Sequence, residues 1–314
     1  MISAAAAWLI FGVVVLGLLI YDLVVAHRRP RALSLRESLL WAAIWIGLAV
    51  LFNLCIYFWH GPEKALQFLS GYLVEESLSV DNLFVFILIF RFFKVPPAYQ
   101  HKVLFWGILG AMLMRALFIL AGVSLIHRFH WIIYLFGAFL VYTGLRLAAN
   151  PQREVHPEKN PLLGLFRRCM RVSPDYDADR FSTRQNGRVV ATPLLVVLLV
   201  IESTDVVFAL DSIPAILAIT TDPFIVYTSN IFAVLGLRAL FFVLAGFMEK
   251  FHLLHYGLAA ILSFIGVKML LSERVAVPTG WALAVIAVIL VLSIAASLIW
   301  KPARPGRIKK NAED

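Results

Sequence analysis

Along the chain, apolar residues gather into blocks at about 6–26, 39–59, 69–90, 103–125, 131–149, 192–218, 224–247, 254–271 and 280–300, separated by short polar breaks. Each block is close to the roughly 20 residues that a helix needs to cross about 30 Å of hydrocarbon. The alternating segments of about ten residues that mark a transmembrane barrel do not occur. The pattern predicts an all-α polytopic membrane protein with about nine transmembrane helices. The third and sixth blocks are the least uniform, because they hold acids.

Self-similarity divides the blocks further. Tyr134 to Leu147 (YLFGAFLVYTGLRL) aligns without gaps with Tyr256 to Met269 (YGLAAILSFIGVKM), matching Gly144 to Gly266 and Arg146 to Lys268. RALFILAG from Arg115 answers RALFFVLAG from Arg238. The third and sixth blocks share an acid, five residues, then Asp with a small polar neighbour: Glu75…Asp81-Asn82 and Asp205…Asp211-Ser212. Blocks three to five thus repeat as six to eight. An odd number of helices per unit brings the second copy in from the opposite side, which makes an inverted repeat of two three-helix units. The expected organisation is 1–66, two N-terminal transmembrane helices; 67–149, the first repeat; 150–190, a basic cytoplasmic loop; 191–272, the second repeat; and 273–314, a last transmembrane helix with a basic tail.

Composition agrees: 61% of residues are apolar, 15% are charged, and mean hydropathy is +0.86, too little charge for the surface of a soluble domain. Nothing basic precedes Trp8, so the first block is expected to be an uncleaved helix with its N-terminus outside. On that orientation the cytoplasmic segments hold 22 of the 28 Lys and Arg, and the external loops only Lys64, Arg128 and Arg274. The same asymmetry accounts for the net charge of +9 without nucleic acid; the tail from Lys301 to Lys310 is suited to anionic headgroups. In the 150–190 loop, Pro161 to Val172 suits an amphipathic surface helix and Phe181 to Ala191 a hairpin around Asn186-Gly187. A plain solvated basic linker fits equally well. Cys55 and Cys169 fall on opposite sides of the membrane and cannot pair within one chain.

Glu75, Glu76, Asp81, Glu202, Asp205 and Asp211 all lie inside apolar blocks. An ionised carboxylate mid-membrane costs about 2.5–3.5 kcal/mol on insertion scales, so such a group requires partners. Glu76 suits a structural, snorkelling role as well as a functional one, and Asp22 reads as interfacial. A six-residue step turns a helix by about 600°, leaving Glu75 and Asp81 ~120° apart, so one straight helix cannot aim both at one ion. Two crossing helices can aim one acid each, with Asn82 and Ser212 as neutral oxygen ligands and Pro214 distorting the sixth block near Asp211. The expected centre is Asp81-Asn82 against Asp205 and Asp211-Ser212, with Glu75 and Glu202 next along. Arg115 and Arg238 read as structural ion pairs with these acids; Arg146 and Lys268 read as snorkelling. The eight histidines stand in loops or at block ends, away from the acids. The ligand chemistry therefore suits Mn²⁺, Mg²⁺, Ca²⁺ or a proton relay rather than Zn²⁺ or Cu⁺, and does not choose among them.

GYLVEESLSVDNLFVFILIF (Gly71 to Phe90) and the stretch from Ala191 to Phe242, with its Asp-Ser-Ile-Pro-Ala and Thr-Thr-Asp-Pro-Phe, resemble the TerC/Alx family of bacterial inner-membrane proteins. The N-terminal helices and long central loop resemble the Alx branch most. The resemblance implies a LysE-superfamily-like fold, a place in the bacterial inner membrane and a role in metal homeostasis, most concretely Mn²⁺ export; older family labels are tellurite (tellurium) resistance and membrane-bound redox modulation. It carries the acidic motif onto Glu75, Asp81-Asn82, Glu202, Asp205 and Asp211-Ser212 as metal ligands. The expected partners are a divalent metal ion, as substrate rather than resident cofactor, and membrane lipid; a homo-oligomer stays open. The alternative is a non-transporting scaffold or redox modulator. No enzyme is expected: neither GxSG nor HExxH nor an ATP-binding GxxxxGK[ST] occurs.

Overall fold

The computed structural model describes residues 4–21, 35–149, 163–164, 166, 170–185, 188–247, 253–275 and 277–300. Among these stand nine long helices: α1 (Ala4–Tyr21), α2 (Leu35–His60), α3 (Pro62–Phe92), α4 (Pro97–Arg128), α5 (Ile132–Ala149), α6 (Pro193–Leu217), α7 (Pro223–Phe247), α8 (Leu254–Leu270) and α9 (Thr279–Ile299). Six of them, α2, α4, α5, α6, α7 and α9, are long and apolar enough to cross a membrane; α1 and α8 are apolar but shorter. The chain is a multi-pass helical membrane protein. Leu51 and Phe58 of α2 and Val291 and Ile299 of α9 lie exposed, as lipid-facing side chains do.

The acids that break the apolar pattern of α3 do not break the helix. It runs 31 residues and starts at Pro62, earlier than the hydrophobic block, because Gly61 at φ +87° turns the chain and Pro62 opens the helix. Pro214 likewise leaves α6 continuous to Leu217, removing one amide donor without ending the helix.

Three pairs of helices make the core. Lys64 near the start of α3 meets Asp222, just before α7, at 2.7 Å, and Phe90 near the end of α3 sets its ring 5.3 Å from Phe241, so α3 and α7 run parallel. A short link joins α6 back to α7, so α6 is antiparallel to α3; Gly71 accordingly faces Ile216. The second pair is α4 on α6 and the third α5 on α8. In the last, a Cβ on Gly266 would lie 2.7 Å from the Gly137 carbonyl oxygen and 2.8 Å from Val141, and one on Gly144 would lie 2.7 Å from the Ala259 carbonyl oxygen and 2.4 Å from Ser263. The two contacts are reciprocal under the repeat alignment, which matches Gly137 to Ala259, Val141 to Ser263 and Gly144 to Gly266. Helix α1 closes one side, its Phe11 ring among those of Phe52, Phe224, Tyr227 and Phe232.

The central loop is fastened down where it is described. β1 (Ser182–Gln185) pairs antiparallel with β2 (Arg188–Ala191), as the hairpin reading expects. Tyr176 donates its hydroxyl to the Phe93 carbonyl oxygen at 2.7 Å, and Lys102 meets Asp179 at 3.0 Å. Those two bonds tie residues 176–179 to the ends of α3 and α4, which a solvated linker would not do. Asp22, Cys169, Asn186-Gly187, half of 161–172 and the tail from Lys301 lie outside the described residues.

The α5–α8 crossing has backbone on both sides and cannot give way to a side chain. Gly266→Leu is expected to lower the thermal midpoint of the detergent-solubilised protein, at the overpacking cost of about 1–3 kcal/mol or more. Gly12→Leu, where a new Cβ meets nothing within 4 Å, should leave it unchanged.

Candidate functional site

The ~120° offset between positions six apart on a helix sends the acids of α3 and α6 to two different sides of their contact. Glu75 and Asp205 turn toward α4 and α7; Asp81 and Asp211 turn toward α5 and α8.

On the first side, Arg115 of α4 is the centre. Its Nη1 donates to Glu75 Oε1 and, at 2.9 Å, to Asn230 Oδ1; its Nη2 donates to Asp205 Oδ1 at 3.5 Å. Asn230 of α7 returns a bond from Nδ2 to Glu75 Oε2 at 2.9 Å, and Ser79 donates to Glu75 Oε1 at 3.4 Å. Glu75, Arg115 and Asn230 are wholly enclosed and Asp205 nearly so. Asp205 Oδ2 has no hydrogen-bond partner. Asp205 also lines a cavity of about 20 Å³ with Arg238, which is itself buried. That volume suits a single water-sized guest. The structural ion pair expected of Arg115 is therefore present, and it engages both repeat-equivalent acids at once.

On the second side, Asp81, Asn82, Asp211 and Thr143 line another cavity of about 20 Å³, walled by Leu78, Phe208, Leu258 and Leu262. Thr143 of α5 donates to Asp211 Oδ1 at 3.2 Å. Asn82 is buried with its Nδ2 unpartnered. No arginine or lysine among the described residues lines this cavity. Its donors are two carboxylates, an amide and a hydroxyl, all oxygen chemistry suited to a hard cation.

The expected centre is thus divided. Asp81, Asn82 and Asp211 come together; Asp205 does not join them but turns to Arg115. Ser212, almost fully enclosed, is absent from the cavity lining, and its hydroxyl has no partner. Glu202 is half-buried on α6 against Gly110 of α4, where a Cβ would come within 2.1 Å of its carboxylate. Glu76 lies beside Gly236 of α7 and Trp45 of α2. Among the described residues, no three His, Cys, Asp or Glu form a group that could hold a metal ion. Arg146 is exposed at the end of α5, as snorkelling requires, whereas Lys268 instead donates to the Ala218 carbonyl oxygen at 3.2 Å, at the C-terminal end of α6. Carbonyl groups left unpaired at a helix end attract a cation, which is why this lysine turns inward.

Thr143 and Asn230 went unnoticed in the acid-centred reading. Both are polar residues within apolar blocks, and Thr143 breaks the repeat, since its counterpart is Ile265.

The sequence model of the "Integral membrane protein TerC family" matches residues 60–305. An uncharacterized membrane protein of Myxococcus xanthus is 50% identical over 298 residues, covering 95% of this chain and 93% of its own. A protein of Escherichia coli K12 called "Putative membrane-bound redox modulator Alx" is 45% identical over 296 residues, covering 91% of this chain and 92% of its own. An uncharacterized membrane protein of Rickettsia bellii is 40% identical over 295 residues, covering 94% and 98%. No solved structure matches the chain.

Removing one partner of a buried ion pair leaves the rest uncompensated, at a cost of about 3–5 kcal/mol. Arg115→Met is therefore expected to lower the thermal midpoint sharply. The triple variant Arg115→Met, Glu75→Gln, Asp205→Asn should recover much of the loss in the same melting assay, because no unpaired charge remains.

Proposed function

Because the chain belongs to the TerC/Alx family of integral membrane proteins, we propose that it is an inner-membrane transporter of a hard divalent cation, most concretely a Mn²⁺ exporter driven by a secondary gradient. The observation that carries this reading is the cavity of Asp81, Asn82, Asp211 and Thr143, which brings two carboxylates, an amide and a hydroxyl to one point. Two carboxylates match the charge of a divalent ion. Water or backbone carbonyls would complete the six or so oxygens such an ion takes. Ligand chemistry alone leaves Mn²⁺, Mg²⁺ and Ca²⁺ together; manganese follows from the family resemblance.

The inverted repeat is part of the same proposal. Supporting it are the antiparallel course of α3 and α6 and the reciprocal glycine contacts of α5 and α8. In transporters of this architecture the substrate site lies between the two units near the midplane, and one unit moves against the other. Glu75 and Asp205 then serve as the electrostatic latch of the present state. Arg115 holds both, and a cation can replace it there only when the guanidinium withdraws, since like charges a few ångströms apart in low dielectric repel strongly. Arg238, the counterpart of Arg115 in the repeat, already lines a cavity with Asp205 and is placed to take over that acid in the opposite-facing state. Protonation of the cavity carboxylates would release the metal, which couples export to protons. The N-terminus is assigned to the outside and the C-terminus to the cytoplasm from the basic-residue asymmetry.

The relatives' label of redox modulator has no paired thiol to rest on among the described residues, where Cys55 is free.

Cells expressing Asp81→Asn or Asp211→Asn are expected to accumulate Mn²⁺ to the level of cells lacking the protein, at unchanged membrane abundance. Thr143→Ala, which removes one neutral contact to Asp211, should lower export by a smaller factor. Export equal to the parent in both aspartate variants would overturn the assignment.

A further inference from the structure

A third cavity, of about 350 Å³, opens where α3 ends and α4 begins, beside the last turns of α7. Its apolar lining comes from the buried Ile87, Phe90 and Phe241 and the exposed Ala245, and Arg91, Lys94 and Gln100 line it too. Arg91 and Lys94 are exposed, and neither has a carboxylate partner among the described residues. Leu88 and Phe92, on the same closing turns of α3, are also exposed. An apolar lining beside two exposed cations that have no carboxylate partner among the described residues matches an acyl chain and the phosphate headgroup above it.

Lys94 gives the second observation. It closes α3 with φ +51°, its amide bonding the Arg91 carbonyl at 3.1 Å while the Val95 amide bonds that of Phe90 at 2.9 Å. This is the left-handed cap that favours glycine, since a Cβ there is strained. A lysine standing where glycine would fit better points to a task for its side chain.

We propose that this cavity binds the phosphate headgroup of an anionic phospholipid, with Arg91 and Lys94 as the headgroup ligands and the α3–α7 groove taking an acyl chain. The bound lipid ties the α3–α4 turn to α7, and so fastens the two repeat units together at one membrane face. The site is separate from the buried acids and stands whether or not they carry a cation. Basic residues at a helix C-terminus also complement the helix dipole. That role does not depend on which lipid is present, so a lipid-dependent readout separates the two.

The test uses the full chain in nanodiscs of phosphatidylcholine, with and without phosphatidylglycerol, together with native mass spectrometry of the detergent-solubilised protein. Phosphatidylglycerol should raise the thermal midpoint by several degrees and survive as a one-to-one adduct. Arg91→Gln and Lys94→Gly should each diminish both effects, and together abolish them. In phosphatidylcholine alone Lys94→Gly should melt at or above the parent, because the strained cap is relieved; that keeps the variant folded and the comparison valid. An unchanged phosphatidylglycerol shift in the double variant would overturn the proposal. So would inorganic phosphate reproducing the shift in phosphatidylcholine discs, which would mark a free-anion site instead.

Discussion

The bond between Arg115 and the two acids Glu75 and Asp205 is the constraint on which the rest of the core depends. A carboxylate enclosed in a bundle of apolar helices has no water to solvate it, and an unpaired one would take up a proton or expel its helix from the core. One guanidinium offers several donors in a fixed fork, so it can serve acids from two helices at once, which an ammonium does less well. Asn230 spends both ends of its amide on the same cluster, accepting from Arg115 and donating to Glu75. Four helices, α3, α4, α6 and α7, are thereby bound at one point.

The opposite side of the α3–α6 contact is as informative as this one. There Asp81 and Asp211 share a cavity with Asn82 and Thr143 inside an apolar wall, and no arginine among the described residues lines it. The same pair of helices thus carries one acid pair bound to Arg115 and another that lines a cavity of its own. Helical geometry enforces the division, because residues six apart cannot face one way.

Around this centre the packing is close between the core helices and open where lipid is expected. The α5–α8 crossing brings backbone against backbone through Gly137, Gly144 and Gly266, a contact type that suits helices lacking a hydrophobic drive to associate. Large apolar side chains of α1, α2 and α9 stay outside. The loop hairpin and the Tyr176 and Lys102 contacts hold the end of α3 and the start of α4 in place, next to the basic cavity.

Much of this was legible in the sequence because its causes are local or periodic. Block length fixes the helices, the hairpin signal at Asn186-Gly187 fixes β1 and β2, and the matched positions of Arg115 and the acids mark the ion pair. The six-residue step already rules out a single-helix ion site. Tertiary structure alone decided which acid faces which neighbour. Asp205 and Asp211 are acids of one apolar block, yet the first meets Arg115 and the second Thr143, because the partner depends on the rotation of α6 against helices distant in sequence. Asn230, Thr143 and the inward turn of Lys268 were invisible for the same reason: a neutral polar residue or a helix-end lysine acquires its role only from the helix that packs against it. The chain's sequence determines that charges must be compensated within the bundle; only the packing determines by what.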